Sequence, residues 1–432
     1  MSKLALLGGE KTRKKSFPAH PVLGEEEKKE VMDVLKTGQL SGFVANSGEC
    51  FGGGPKVKKL EGLFREYFGI KHAIAVNSAT AGLHAAIAAI DVGPGDEVIV
   101  PPYTMSASSS AILMHNAIPV FCDIQKDIYT LDPEQIKKNI TPRTKAILVV
   151  HLFGHPADMG PIMEIARKHG LKVIEDCAQA PGAKYKSKYV GTIGDLGVFS
   201  LNQHKTITTG EGGVVTCQDN DLALRVQLVR NHGEVIVKDL TPKRISGILG
   251  WNYRMTELEA AVGIAQFKKL DALTDYRISL VRYFESKMKK LRLPGIELPK
   301  TYKGCKHVYF VYPMKFNSKE ASINRDILVK ALNAEGMQFG AGYVRPIYLE
   351  PMYQKKLCYG DKGCPFTCPY YKGKTVYKQG MCPVCEKMHY EELISTALCR
   401  FPLKKNDIDD MINAMVKVFE NRKDLLSEQT DD

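Results

Sequence analysis

Three observations predict an α/β protein: a mostly parallel sheet with helices on both faces, and a smaller α+β domain behind it. Val/Ile-rich runs alternate with helical stretches from residue 73 to about residue 200. Those runs are nearly continuous in Val, Ile and other apolar residues, as strands covered on both faces are. Past about residue 275 the alternation gives way to a looser mixture of strand-like and helical runs. A chain of 432 residues is long enough for two domains. The division expected is an N-terminal arm and large domain over 1–275, then a small domain over 276–432 carrying a cysteine-rich insertion at about 358–385.

The elements follow in order. Glu25 to Leu35 has helical spacing, and Gly48 to Gly54 is glycine-rich. Pro55 suits the first turn of a helix running to Phe68, with Leu60, Leu63, Phe64 and Tyr67 on one face. Ala73–Val76, Glu97–Val100, Ile118–Cys122, Ala146–Leu152 and Leu171–Ile174 read as strands. Thr80–Ile90 and Ser106–His115 read as helices between them. Gly197 to Gly213 reads as a strand, a tight polar loop carrying Lys205, and the start of a second strand, Val214 to Cys217. A long helix is predicted over Tyr253–Leu270 and another over Arg277–Leu291. Val308–Phe316 is strand-like, and Arg325–Glu335 is helical.

Composition bounds the function. With 44% hydrophobic and 25% charged residues the chain is an ordinary globular one. No run of about eighteen apolar residues exists, which excludes a membrane-spanning helix. Leu4 to Leu7 is too short for the apolar core of a signal peptide, so a cytoplasmic protein is expected. The net charge of +12 attracts anions. The basic residues are dispersed and no nucleic-acid motif accompanies them, so a phosphorylated substrate or cofactor accounts for the charge and no nucleic-acid or membrane partner is expected.

In a parallel sheet, ligands bind beyond the carboxyl ends of the strands. There the chain places Asn77–Thr80, Tyr103–Ser106, His151–His155 and Asp176–Gln179. Asn77-Ser78-Ala79-Thr80 opens a helix directly after a strand. Its hydroxyls and free N–H groups form an anion site or, more plainly, an N-cap. Asp176 either caps the next turn or faces a ligand. Lys205 follows on a later loop. An anion site, an acid and a lysine are the set that pyridoxal phosphate needs: one for the phosphate, one to keep the pyridinium nitrogen protonated, one for the Schiff base.

The stretches N-S-A-T-A-G-L, V-I-E-D-C-A-Q-A, F-S-L-N-Q-H-K-T-I-T-T-G-E-G-G and N-Y-R-M-T-E-L-E-A-A, in that order, resemble the DegT/StrS-type sugar aminotransferases. The match runs from Gly8 to about Phe267 and continues loosely through R-F-P-L at Arg400–Leu403. The resemblance implies the pyridoxal-phosphate-dependent transferase fold of type I, that of aspartate aminotransferase. It implies Lys205 as Schiff-base lysine and proton shuttle, Asp176 on the pyridinium nitrogen and Gln179 near the ring hydroxyl oxygen. Ser78, the Ala79 backbone, Thr80 and Ser200 are implied around the phosphate. Asn252 is implied to reach the phosphate of a partner subunit, and hence a homodimer with shared active sites. The family commonly stacks an aromatic ring on the cofactor after P-x-x-T. Here P-P-Y-T-M leaves that task to Met105 or to Tyr103.

The reaction implied is a ping-pong transfer through pyridoxamine phosphate from glutamate or glutamine to a keto sugar, nucleotide-linked. Relatives with histidine at the lysine position perform dehydration, and the retained Lys205 favours transamination. The alternatives are a cyclitol-ketone aminotransferase, a sugar dehydratase on the same fold and a non-catalytic binding protein. Five of the eleven cysteines fall within 358–385. Cys364-x3-Cys368 and Cys382-x2-Cys385 form close pairs of the kind that hold structural zinc, or are free thiols of an inserted loop.

Overall fold

The computed structural model describes residues 3–237 and 248–429. Seven strands form the large sheet: β1 (His72–Val76), β2 (Glu97–Val100), β3 (Ile118–Phe121), β4 (Thr144–Val150), β5 (Lys172–Asp176), β6 (Leu196–Ser200) and β7 (Gly213–Cys217). Their spatial order is β1-β7-β6-β5-β4-β2-β3. β7 runs antiparallel to both its neighbours, and the other pairings are parallel. β2, β6 and β7 are buried along their whole length, the buried polar residues Glu97 and Thr216 being hydrogen-bonded, to Arg143 and to the Gly191 carbonyl.

Helices α1 (Glu25–Thr37), α2 (Pro55–Phe68), α3 (Ala79–Ala89) and α4 (Ala107–Met114) match the predicted ones within about two residues at each end. The helix expected over 253–270 is shorter. α5 spans Glu257–Phe267, and α6 (Leu270–Leu291) takes up the stretch from residue 270. The reason is local. Thr256 accepts the Glu259 N–H while the Glu259 carboxylate accepts the Thr256 N–H, a capping box that starts the helix there whatever the upstream spacing. Tyr253 instead lies extended, its N–H donating to the Arg230 carbonyl and its own carbonyl accepting from Asn77.

A second sheet of four strands, β8 (Ile296–Glu297), β9 (Tyr312–Phe316), β10 (Gly340–Ala341) and β11 (Leu393–Thr396), is antiparallel in the order β8-β9-β11-β10. It shares a core with α7 (Arg325–Ala334) and α8 (Lys405–Glu420), and Leu4 of the N-terminal arm joins that core. The strand predicted from Val308 starts only at Tyr312, because Tyr309 is left-handed (φ 51°) and turns the chain. No helix among the described residues is long and apolar enough to cross a membrane.

The cysteine-rich segment packs against the large sheet rather than the small one. The hydroxyls of Tyr359, Tyr371 and Tyr377 donate to the Leu113 carbonyl, Glu97 and the Pro119 carbonyl at 2.8, 2.9 and 2.8 Å. The Asp123 carboxylate accepts the N–H groups of Val384 and Cys385 at 2.8 and 2.9 Å. Cys382 and Cys385 are buried, whereas Cys364 and Cys368 are half-buried. Cys364, Cys368, Cys382 and Cys385 do not converge as a ligand set. The one group of three or more close potential ligands among the described residues is His151, Glu175 and Cys177. The expected zinc site therefore finds no support here; tyrosine hydroxyls and Asp123 pin the segment instead.

Candidate active site

A cavity of about 360 Å³ opens at the carboxyl ends of the large-sheet strands, a size that suits a small ligand. It brings together residues from five separate stretches of chain: Ser78, Ala79 and Thr80; Met105; Asp176 and Gln179; Ser200; and Lys205. Thr104 beside Met105 and Asn202 and His204 near the lysine also line it, and Phe310 and Tyr343 reach it from two stretches beyond residue 300.

The first wall is the start of α3. Ser78 caps it by accepting the Ala81 N–H at 3.0 Å, which leaves the Ala79 and Thr80 N–H groups without intrahelical acceptors. The helix end therefore carries partial positive charge into the cavity. Two glycines allow it to sit there. A Cβ on Gly82 would come 2.9 Å from Val198 of β6, and one on Gly213 would come 2.8 Å from the Ala79 nitrogen.

Opposite lies Asp176, the last residue of β5 and 5% exposed. One carboxylate oxygen accepts the Ser108 hydroxyl at 2.8 Å and the other the Ala178 N–H at 3.0 Å. Thr104 in turn bonds Ser108 at 3.2 Å. The carboxylate is thus fixed in rotation and kept able to receive one more donor. Behind it Glu175 points the other way, as strand alternation demands. Glu175 accepts three N–H groups, from Gly191, Ile193 and Gly194, and bonds His151 Nε2 at 3.0 Å. His151 Nδ1 accepts from Ala157. With these atoms engaged, His151 and Glu175 brace the strand end and have no lone pair directed at a metal.

Lys205 sits where the β6–β7 hairpin turns. Its N–H donates to the Asn202 carbonyl at 2.9 Å, and Thr208 and Thr209 both bond the Leu201 carbonyl. Its ammonium lies 4.7 Å from the centre of the Phe310 ring and forms no ion pair among the described residues. Burial lowers its pKa, and the charge of Asp176 opposes that shift. The result is an amine more readily deprotonated than an exposed lysine.

Two predicted contacts fall elsewhere. Tyr103 is fully buried with its hydroxyl 3.5 Å from His389 Nδ1, and it does not line the cavity; Met105, exposed, does. Asn252 also lies off the cavity within one chain. It is exposed, bonds the Arg254 guanidinium at 2.8 Å, and offers its carbonyl to the Asn77 side chain. Sequence reasoning missed Ser108, Phe310 and Tyr343. Ser108 lies 68 residues from its carboxylate, and the other two come from the second half of the chain, with no motif to mark them.

Pyridoxal phosphate fits this donor set. The helix end with Ser78, Thr80 and Ser200 suits a phosphate, the buried carboxylate suits a protonated ring nitrogen, and the unpaired amine suits an aldehyde.

Comparison with known proteins agrees. Residues 21–391 match the DegT/DnrJ/EryC1/StrS aminotransferase family. An uncharacterized protein of Methanocaldococcus jannaschii is 37% identical over 94% of this chain and 98% of its own length. The GDP-perosamine synthase of Caulobacter vibrioides is 38% identical over 78% of this chain and 86% of its own. The crystal structure of an aminotransferase from Psychrobacter cryohalolentis superposes with a TM-score of 0.81 at 30% identity, over 94% of this chain and 99% of that one. The chain belongs to the DegT/DnrJ/EryC1/StrS aminotransferase family and is a pyridoxal-phosphate-dependent aminotransferase.

Proposed function

We propose that this enzyme moves an amino group from glutamate or glutamine to a nucleotide-linked keto sugar, by a ping-pong sequence. The observation that carries the reading is Lys205, half-buried and without an ion pair among the described residues, in the cavity that Asp176 and the start of α3 also line. Two facts support the acceptor: the net charge of +12 favours a diphosphate, and the Caulobacter vibrioides relative makes GDP-perosamine.

When bound, pyridoxal phosphate supplies a carbonyl for amines and an electron sink for the carbon that loses a proton. The protein supplies the rest. The N–H groups of α3, with Ser78, Thr80 and Ser200, hold the phosphate. Asp176, oriented by Ser108, keeps the ring nitrogen protonated so that the sink works. Gln179 and Met105 line the same cavity, where the amide would serve the ring oxygen and the thioether would pack on the ring. The Lys205 amine, when free, would take and return a proton at Nζ, for which its lowered pKa suits it. Asn252, exposed and outside the cavity lining of its own chain, is proposed to serve that of a second copy, so that the working unit is a homodimer.

The test loads the enzyme with glutamate in a first half-reaction, removes the donor, and offers a panel of keto sugars with and without a nucleotide, together with a cyclitol ketone. Amination of nucleotide-linked members is expected. Amination of the cyclitol alone would replace this reading.

A further inference from the structure

Gln179 is held more tightly than its implied contact with the cofactor requires. It is 4% exposed, and its carbonyl oxygen accepts the Phe153 N–H at 2.7 Å, which fixes the flip of the amide. The amide nitrogen then donates to the Tyr343 hydroxyl at 3.1 Å. An amide nitrogen has two protons, so one remains for the cavity.

Tyr343 is itself locked. Its ring stands edge-on to that of Phe153, 5.1 Å between centroids, so Phe153 grips the glutamine with its backbone and the tyrosine with its ring. The residue before it, Gly342, is left-handed (φ +74°), and a Cβ there would come 2.7 Å from His389 Nδ1. The Gly342 N–H bonds the Leu393 carbonyl at 2.9 Å, and its own carbonyl accepts from Ser395 at 3.2 Å. The small sheet thus presents one hydroxyl to one amide of the large sheet.

We propose that Tyr343 is a positioning residue: by accepting one amide proton of Gln179 it aims the other at the cofactor's ring oxygen, and so sets the pH at which the bound chromophore titrates. This rests on the cofactor placement proposed above. A donor aimed at the ring oxygen draws charge off it and lowers the pH at which the chromophore gives up its proton. Without the Tyr343 hydroxyl, the amide nitrogen loses the acceptor that engages one of its protons.

The experiment follows the visible absorbance of the pyridoxal-phosphate-loaded enzyme against pH. Tyr343→Phe removes one oxygen and keeps the ring packing. Its midpoint is expected to rise by about 0.5 to 1 pH unit, the equivalent of one modest hydrogen bond. Gln179→Leu is expected to raise it at least as far, and the double variant no further than Gln179→Leu alone. A Tyr343→Phe midpoint within about 0.2 units of wild type would overturn the proposal, and so would shifts that add in the double variant, since Tyr343 would then act without Gln179. Absence of any cofactor absorbance in the wild type would instead overturn the cofactor placement itself.

Discussion

An amine partly withdrawn from water without a carboxylate to pair with destabilises the protein that carries it. The unfolded chain keeps Lys205 near its ordinary 10.5, while burial lowers it in the fold. Below the folded value the penalty is present in full, and it fades as pH rises toward 10.5. Lys205→Met is therefore expected to raise the thermal midpoint of the cofactor-free protein by roughly 1–3 °C at pH 7, and by less at pH 10. Calorimetry at the two pH values checks it. The same substitution should lower turnover at least about 10³-fold. Asp176→Asn should cost about 10² or more, and Ser108→Ala only about 5- to 10-fold, because it frees one carboxylate oxygen without removing the charge. Steady-state rates separate the three. Lys205, Asp176 and Gln179 were legible because each stands in a contiguous motif. Ser108 and Tyr343 were not, because what they do depends on a partner 68 or 164 residues away.

At the scale of elements, the strands announced themselves through unbroken Val/Ile runs, and α2 through Pro55 at its first turn. Boundaries failed where a side chain overrode spacing, as at the capping box of Thr256 and Glu259. The two-residue strands of the small sheet left no period to read. The close seat of α3 on β6 and β7 is a consequence of its glycines. Gly213→Ala would press a Cβ to 2.9 Å from the Phe199 carbonyl as well as against Ala79, and is expected to cost about 1–3 kcal/mol by urea unfolding. Glu175→Ala orphans three N–H groups and a histidine in the sheet interior. It should cost more, about 3–5 kcal/mol in the same assay.

Across the whole molecule, the site is assembled from both sheets. The large one supplies the proposed cofactor cradle, and the chain just before one strand of the small sheet and just after another supplies Phe310 and Tyr343. The cysteine-rich segment is anchored to the far edge of the large sheet through Asp123. Asp123→Ala should raise hydrogen exchange over residues 370–386 and leave cofactor affinity within about twofold, because none of those contacts reaches the cavity. Leu249 and Trp251 are exposed beside Asn252, an apolar surface that a second copy would cover. Transfer of the amino group through Lys205 comes down to where the nitrogen goes. The most direct measurement supplies glutamate labelled with ¹⁵N at its amino group, plus a nucleotide-linked keto sugar, to wild-type enzyme and to Lys205→Ala. The label is expected in the sugar with wild type and to be absent with Lys205→Ala; label in the sugar with both proteins, or with neither, would contradict transfer of the amino group through Lys205.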